Sequence, residues 1–270
     1  MIIRHDIDPA QYLTTPEEFP AVVAVDSAQE EIQIAYDSID ELLKPNLIPA
    51  IQTEPIYRTR YDGMGALIHP QWILTAAHVA TELTLEKAID FGRATYPIQQ
   101  IVLHPQFKNY SLEDKFAEND IALIQLKQSV ENIPPLPLYE NDDEVGRIAT
   151  FVGQGDFGNG IIGPDKVDGK LRKATNRIEK ADEQWLLFKF DAPTECTELE
   201  GISGPGDSGG PALLKTDGGW AIAGISSGQD SPDSTSLSQW GEGRYGVWEY
   251  YTRVSSYLDW IKFAIEKFAA

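Results

Sequence analysis

The sequence has a single cysteine, Cys196, and few basic residues for its size. One cysteine cannot form an intramolecular disulfide, so packing alone must hold the fold together. The 22 Lys and Arg residues are outnumbered by 42 Asp and Glu, which gives a formal net charge of −20 at pH 7. So acidic a protein repels phosphate backbones and anionic lipids, whereas it attracts basic peptides. We therefore expect neither a nucleic-acid partner nor a membrane partner.

Long apolar runs and metal-ligand spacings are also missing. No stretch is long enough to cross a bilayer. No secretory signal is visible, which leaves two interpretations, a removed signal or a cytosolic protein, and we expect a secreted or periplasmic one. The four histidines show no metal-ligand spacing, and the acidic residues 141–144 lack the spacing of a calcium loop. We expect no metal and no cofactor.

Glycine and proline, by contrast, are spread along the whole chain. The 22 glycines and 17 prolines favour many short strands joined by turns. Residues 26–60 are acidic at first and are then broken by prolines, which predicts a surface insertion with a helical turn at 38–43. Residues 134–138 carry three prolines and are stiff enough to connect two domains. An apolar stripe from Tyr257 to Ile265 predicts an amphipathic helix with a serine cap, docked on the second domain.

The most informative stretch is GDSGGP at residues 206–211. Such a run cannot form a regular helix or strand, because its glycines permit tight bends that point successive N–H groups at one centre. This arrangement suits an oxyanion hole made by the N–H groups of Gly206 and Ser208, with Ser208 as the nucleophile. Serine is a weak nucleophile, so it needs a base and a third group that orients the base.

A histidine and an aspartate with suitable surroundings lie upstream. His78 follows an apolar run at residues 72–77, and Asp120 precedes another at 121–126. The chain order His, Asp, Ser and the motifs around these residues resemble the chymotrypsin/trypsin-like serine protease family, in a disulfide-free form typical of bacterial members. The resemblance extends to residues 65–72, 251–254 and 260–261, and residues from about 26 to 60 lack an obvious counterpart.

This resemblance implies a fold and a set of roles. The fold would be all-β, with two six-stranded antiparallel β-barrels and a C-terminal α-helix. Residues 1–138 would form the N-terminal barrel, with the insertion at about 26–60, and residues 139–270 the C-terminal barrel plus helix, together one peptidase unit. His78 would be the general base, Asp120 would orient it, and Ser208 would attack peptide or protein substrates. We expect a monomer.

The resemblance also implies an activation mechanism. Many family members expose an Ile or Val amino terminus that pairs with the aspartate before the nucleophile. By this match Ile2 is the candidate new terminus and Asp207 its partner, with Met1 removed. A buried carboxylate without a cation would be costly, so Asp207 needs such a partner. The alternative is a frayed tail, because Arg4 and His5 depart from the small residues usual there.

The pocket for P1, the residue before the scissile bond, is placed by the same resemblance. Ile202, six positions before Ser208, would lie at its base and favour an apolar or aromatic P1 side chain. The strand with Ser226, Ser227 and Gly228 would line the pocket, with Ser226 hydrogen-bonded to Asp120. Glu249 lies in a segment longer than the corresponding family segment. If its carboxylate enters the pocket, a basic P1 residue would be accepted instead.

We therefore predict a serine endopeptidase that works through an acyl-enzyme. Two alternatives remain open. One is a binding module that keeps the protease fold without turnover, and the other is an enzyme locked as a zymogen in this form. Cys196 has no flanking base motif, which indicates an idle thiol rather than a second nucleophile.

Overall fold

The computed structural model describes residues 1–32, 56–110, 117–230 and 243–268. In chain order its strands are β1 (Ile2–Ile3), β2 (Val22–Ile32), β3 (Ile56–His69), β4 (Trp72–Thr75), β5 (Ala88–Asp90), β6 (Thr95–Leu103), β7 (Ala122–Leu126), β8 (Ile148–Gly153), β9 (Phe157–Asn159), β10 (Gly163–Lys166), β11 (Arg172–Ala181), β12 (Trp185–Lys189), β13 (Gly201–Ile202), β14 (Pro211–Thr216), β15 (Gly219–Asp230) and β16 (Trp248–Arg253). The α-helices are α1 (Ala77–Ala80) and α2 (Leu258–Phe268), and 3-10 turns occupy Pro9–Tyr12 and Val254–Tyr257.

The first barrel is an antiparallel sheet of six strands in the order β2-β3-β4-β7-β6-β5. Its edge strands β2 and β5 contact each other, which rolls the sheet around its apolar face. At its centre, Leu74 of β4 is paired with Leu123 of β7, and both side chains are fully buried. β4 and β7 are buried along their entire length, as expected for continuous apolar runs.

The predicted insertion begins and ends as paired strand. β2 and β3 form one long hairpin whose last described pair is Ile32 with Ile56. Residues 26–32 and 56–60 therefore extend the first two strands rather than leave the sheet. The helical turn predicted at 38–43 lies outside the described residues.

The second barrel is closed, with the strand order β11-β12-β16-β15-β14-β8. Aromatic rings fill its interior. Phe151 is stacked on Tyr251 with ring centroids 4.9 Å apart, and it meets Phe188 edge to face at 4.8 Å. Such pairs add to the free energy gained by burying their area. The predicted fold of two six-stranded β-barrels with a C-terminal helix is confirmed.

The chain's first residues lie on the second barrel, not the first. β1 pairs with β9 in parallel and with β13 antiparallel, in a small sheet ordered β10-β9-β1-β13. The Tyr12 hydroxyl donates to the Glu200 carbonyl at 3.0 Å. Burial of Ile2 and Ile3 explains this position, because two adjacent isoleucines in a strand need apolar cover on both faces. The predicted division at residue 138 assigned all of residues 1–138 to the N-terminal barrel, so it did not expect the first residues to pack on the second barrel.

The proline-rich connection is hydrogen-bonded at both of its ends. Leu136 donates its N–H to Leu67 of β3 at 2.8 Å, and Tyr139 donates to Ile222 of β15 at 2.9 Å. The segment therefore ties the two barrels together. An apolar cluster continues across the same junction, since Leu213 and Ile222 of the second barrel belong to the cluster that fills the first.

Helix α2 closes the described chain and differs from its prediction in two respects. The Ser255 hydroxyl donates to Glu144 Oε1 at 2.9 Å instead of capping the helix. The helix end docks on the first barrel, because the Gln125 side chain of β7 donates to the Phe268 carbonyl at 3.1 Å. Its inward face carries Ile261 and Ala264, both buried against the cluster shared by the barrels. No helix among the described residues is long and apolar enough to cross a membrane.

Candidate active site

His78 is positioned by a short helix that follows a buried strand. β4 ends at Thr75, and α1 begins at Ala77. Ala76 and Ala77 are fully buried, and their small side chains let the helix lie against the sheet. The His78 side chain is 19% exposed. The imidazole is therefore held by the sheet and is still reachable from outside.

Asp120 contacts His78 twice. Its Oδ1 accepts the backbone N–H of His78 at 2.8 Å, and its Oδ2 lies 2.7 Å from His78 Nδ1. A carboxylate bonded to Nδ1 favours the tautomer that carries the proton there, which leaves Nε2 as an acceptor. The preceding Asn119 has a φ of 51° and turns the chain sharply into β7.

Hydroxyl groups from the second barrel complete the surroundings of Asp120, which is fully buried. Ser227 donates to Asp120 Oδ2 at 2.6 Å, and Thr252 donates to the Asp120 carbonyl at 2.8 Å. The prediction that Ser226 would contact Asp120 was wrong by one position. Ser226 instead donates to Ser203 Oγ at 3.2 Å, because successive side chains of a strand point to opposite faces.

The loop with Ser208 bends as its glycines predict. Gly206 and Gly209 have φ angles of 87° and 80°, a conformation that other residues adopt only with strain. The Asp207 N–H donates to the Gly204 carbonyl at 2.9 Å, and the Gly209 N–H is engaged by β15. Within the described residues, no backbone carbonyl accepts the N–H of Gly206 or of Ser208. These two donors are available to a ligand.

The Ser208 loop contacts the part of the first barrel that carries His78. Ser208 accepts the N–H of Met64 at 2.7 Å through its carbonyl. A Cβ at Gly209 would lie 2.3 Å from the Met64 carbonyl oxygen and 2.3 Å from Thr75 Oγ1. Glycine is thus required at 209 because the backbone approaches β3 and the end of β4 closely. The loop and the strand before His78 meet in the cleft between the barrels.

Asp207 is paired with the amino group of Met1, not with that of Ile2. The ammonium nitrogen lies 2.5 Å from Asp207 Oδ2, with both groups buried. The N–H groups of Gly155 and Gly204 donate to Oδ1 and Oδ2 at 2.7 and 2.9 Å. The predicted partner Ile2 lies one residue further along, in β1, where its nitrogen is a neutral peptide group. The expected kind of ion pair is therefore present with a different residue.

The predicted pocket residues come from three strands, β13, β15 and β16. Ile202 is fully buried in an apolar cluster with Ile2, Phe190 and Val247. Glu249 of β16 is also fully buried. Gly228 of β15 is paired with Tyr250, the residue after Glu249. The pairing of β15 with β16 shifts register just before Gly228.

Glu249 is bound to the segment that leads to Ser208. Its Oε1 accepts the backbone N–H of Ser203 at 2.9 Å and the Ser203 hydroxyl. Burial raises the pKa of Glu249 to about 7, and the nearby charge of Asp207 also raises it, while the bonds from Ser203 lower it. A buried carboxyl with this pKa changes its charge near neutral pH.

Gln229 is a site residue that the sequence analysis missed. Its Nε2 donates to the Ser203 carbonyl at 2.8 Å, and its Oε1 accepts the N–H of Gly243 at 3.1 Å. We call these two bonds the Gln229 bridge. Alternation of side chains along β15 did not single out residue 229, because a register shift lies between Ser226 and Gly228.

Other candidate groups serve structural roles. The Glu144 carboxylate receives two bonds from Arg253, at 2.8 and 2.7 Å, and Asp143 accepts the Tyr139 hydroxyl. These acids of the predicted turn at 141–144 are engaged by protein groups. Cys196 is half-buried, and burial raises the pKa of its thiol, which disfavours the nucleophilic thiolate. Among the residues that the structure describes, no group of three or more His, Cys, Asp or Glu side chains could hold a metal ion.

Two β-barrels that meet at a His–Asp pair and a glycine-rich serine loop define a trypsin-like architecture. The family model for Trypsin matches residues 52–261 of this chain. Mouse (Mus musculus) tryptase is 28% identical over 256 residues, which cover 81% of this chain and 83% of tryptase. The mouse complement C1r-A subcomponent is 30% identical over 234 residues, or 76% of this chain, and mouse vitamin K-dependent protein C is 29% identical over 236 residues, or 73%.

The chain belongs to the trypsin family. Its match spans 31% of the length of complement C1r-A and 45% of protein C.

Proposed function

We propose that this protein is a serine endopeptidase that hydrolyses peptide bonds in peptide or protein substrates through an acyl-enzyme. The observation that carries this proposal is the double contact of Asp120 with His78, in the cleft that the Ser208 loop also enters. Membership of the trypsin family supports the same activity.

Acylation begins with attack of Ser208 Oγ on the carbonyl carbon of the scissile bond. His78 Nε2 takes the hydroxyl proton as the new C–O bond forms, and Asp120 stabilises the resulting imidazolium through Nδ1–H. The carbonyl oxygen becomes an oxyanion that accepts the N–H groups of Gly206 and Ser208. Collapse of this intermediate breaks the C–N bond, and His78 returns the proton to the leaving amine.

Deacylation repeats these steps with water. His78 Nε2 takes a proton from water as its oxygen attacks the ester carbonyl, and the same two N–H groups bind the second oxyanion. Collapse breaks the bond to Ser208 Oγ, which recovers its proton from His78. The product acid then leaves, and the enzyme is restored.

For P1 we propose an apolar or aromatic preference at the base of the pocket. Ile202 stands where a trypsin-like enzyme would need an acid, and its surroundings, Phe190 and Val247, are apolar. Burial of a P1 ring against such side chains is favourable in proportion to its apolar area. A peptide panel that varies P1 tests this preference directly.

Activation is proposed to use the Met1 ammonium. Its ion pair holds Asp207, whose neighbours Gly206 and Ser208 supply the oxyanion donors. We therefore expect activity with Met1 retained. Amino-terminal sequencing of the active protein tests this, and activity only after removal of Met1 would instead indicate a zymogen.

A serine-directed fluorophosphonate tests the proposed function itself. We expect one label, located on Ser208 by peptide mass spectrometry, and loss of about 10⁴-fold or more in kcat for Ser208→Ala. Ser255→Ala is the matched control, because Ser255 donates to Glu144 away from the cleft. Failure of a folded sample with an intact amino terminus to react would favour a binding module without turnover.

We also propose a monomer in a secreted or periplasmic location. A net charge of −20 opposes self-association. Light scattering should return a mass near 30.0 kDa, and fractionation of the native host tests the location.

A further inference from the structure

Asp120 lies at the centre of a tight turn that the second barrel helps to hold. The Ile121 N–H donates to the Asn119 carbonyl at 2.9 Å, which closes a γ-turn around Asp120. The Asp120 carbonyl accepts the Thr252 hydroxyl of β16 at 2.8 Å. A side chain leaves the backbone from its own Cα, so the direction of the Asp120 carboxylate depends on the conformation of this turn.

Asn119, the first residue of the turn, has an unusual backbone conformation. Among the described residues it is the only non-glycine with a positive φ, 51°. Asparagine tolerates this region better than most residues, because its short amide can form local hydrogen bonds. Here the amide is bonded on both sides: Nδ2 donates to the Gln106 carbonyl at 3.1 Å, and Oδ1 accepts the Tyr257 hydroxyl at 3.1 Å. The conformation is therefore held by two separate segments.

The two bonds of the Asn119 amide fix its orientation. A backbone carbonyl can only accept, so the Gln106 carbonyl must face Nδ2. Oδ1 then faces Tyr257, whose hydroxyl has to be the donor. Burial raises the pKa of Tyr257, and the nearby charge of Asp120 also raises it, so the hydroxyl keeps its proton at neutral pH. The contact between Asn119 and Tyr257 therefore has a single stable arrangement.

Tyr257 is itself held in place by packing. It ends the 3-10 turn that follows β16, and it is only 7% exposed. The His104 ring meets its ring edge to face, with centroids 5.2 Å apart. The His104 N–H in turn donates to the Ile121 carbonyl at 3.1 Å. Tyr257 thus reaches the γ-turn by two routes, through the Asn119 amide and through the His104 ring.

We propose that Asn119 and Tyr257 are positioning residues, whose hydrogen bond holds the γ-turn so that both oxygens of Asp120 meet His78. This inference rests on the proposed endopeptidase activity and adds to its site a contact between the two barrels. Neither side chain takes part in a step of the proposed mechanism. Without their bond the turn is free to rotate, which lengthens the contacts of 2.8 and 2.7 Å between Asp120 and His78.

The first test is Tyr257→Phe, which removes the hydroxyl and keeps the ring that packs on His104. We expect kcat to fall about fivefold and KM to stay within about twofold, as for the loss of one neutral hydrogen bond. A displaced Asp120 stabilises the imidazolium less, so the acid limb of the pH profile of kcat/KM should move to lower pH. Tyr12→Phe is the matched control, because the Tyr12 hydroxyl also donates to a buried carbonyl, that of Glu200 beside β13. It should leave kcat and the profile unchanged.

Asn119→Gly separates the side-chain bonds from the backbone conformation, because glycine adopts a positive φ without strain. It removes the bonds to both Gln106 and Tyr257, so kcat should fall about tenfold or more. Adding Tyr257→Phe to Asn119→Gly should then change kcat by less than about twofold, because the bond between the two side chains is already absent. Independent effects in this double-mutant cycle, or a native kcat in Tyr257→Phe, would overturn the proposal.

A measurement without substrate tests the position of Asp120 directly. The proton between His78 Nδ1 and Asp120 Oδ2 lies in a short, charge-assisted hydrogen bond, which shifts its proton NMR signal to low field. We expect this signal to move upfield or to broaden in Tyr257→Phe and in Asn119→Gly, and to be unchanged in Tyr12→Phe. An unchanged signal in all three variants would contradict the inference.

Active-site titration with the fluorophosphonate separates this inference from the proposed function. A protein that titrates fully, but whose Tyr257→Phe variant keeps the native kcat and the native NMR signal, refutes this inference alone. A folded protein that does not titrate refutes the proposed function, whereas the NMR comparison still decides whether Tyr257 positions Asp120.

Discussion

Two buried carboxyl groups lie close to the proposed nucleophile and differ in how completely they are bonded. Asp207 receives two backbone N–H groups and the Met1 ammonium, so both of its oxygens are occupied. Glu249 has one occupied oxygen and one without a partner among the described residues. The charge of Asp207 is therefore balanced within the fold, whereas that of Glu249 is not.

This difference separates a carboxyl group whose charge is paired from one whose charge is not. Burial disfavours the charged form of both groups, but a cation and oriented N–H donors offset that cost at Asp207. At Glu249 the same cost is relieved by a proton, which is why burial raises its pKa to about 7. Three substitutions test this contrast.

The largest effect is expected for Asp207→Asn. Removing the carboxylate leaves the Met1 ammonium buried without a counter-ion, which costs about 3–5 kcal/mol in the free energy of unfolding. Loss of the ion pair should also lower kcat/KM, because Asp207 lies between the two oxyanion donors. Urea denaturation and a peptide assay measure both effects.

Asp191→Asn serves as the matched control for that substitution. Its partner Lys189 lies 2.8 Å away, and both side chains are partly exposed, so we expect a cost below about 1 kcal/mol. An equally small cost for Asp207→Asn would show that the buried pair does not stabilise the fold.

Glu249→Gln should have an effect of opposite sign that depends on pH. The folded state holds the Glu249 proton more tightly than the unfolded chain, so this contribution to stability is complete below pH 4.5 and is lost as pH rises through about 7. The variant does not titrate. At pH 8 it should exceed the native protein in unfolding free energy by about 3 kcal/mol, relative to their difference at pH 4.5.

Glu144→Gln is the comparison for this pH series. Burial raises the pKa of Glu144, but bonds from Arg253 and Ser255 lower it further, so the pKa ends below its usual range. Its contribution is present at neutral pH and lost on acidification, so this variant should be most destabilised near pH 7. The same pH trend in both variants would remove the proposed distinction between a paired and an unpaired carboxylate.

Ser227→Ala should have the smallest effect of the three. It removes one hydrogen bond to the buried Asp120 carboxylate, at a cost of about 2 kcal/mol in unfolding free energy. Because Asp120 orients the proposed base, we expect kcat/KM to fall about tenfold as well, which corresponds to a loss of about 1.4 kcal/mol of the bond's contribution in the transition state.

Ser255→Ala removes a bond of the same type, to the buried Glu144 carboxylate. It should cost similar stability and leave kcat/KM unchanged. A fall in kcat/KM for both variants would mean that the loss reflects general destabilisation rather than the position of Asp120.

Much of the fold was predictable because its signals are local. The apolar runs that became β4 and β7 are fully buried, and the glycines at 206 and 209 adopt the backbone angles that their residue type permits. Asp120 and His78 were identified from short motifs, and the structure brings them into contact.

The errors concern contacts between distant segments. The prediction named Ser226 rather than Ser227 as the partner of Asp120. Which of the two faces the first barrel depends on the register of β15 against β16, and that register shifts between Ser226 and Gly228. The docking of α2 on β7 depends on where the chain leaves β16. With Met1 retained, the ammonium that meets Asp207 is that of Met1.

The residue types that this chemistry needs can be recognised in the sequence alone: a serine in a glycine-rich bend, a histidine after a buried strand and an aspartate before another. Backbone freedom and hydrophobic pattern depend on near neighbours, so they can be read along the chain. Only the folded structure shows which carboxyl groups have their negative charge balanced by a partner. Charge balance depends on distances across the fold, such as the 2.5 Å between the Met1 ammonium and Asp207, and the burial that raises the pKa of Glu249 exists only once the second barrel is closed.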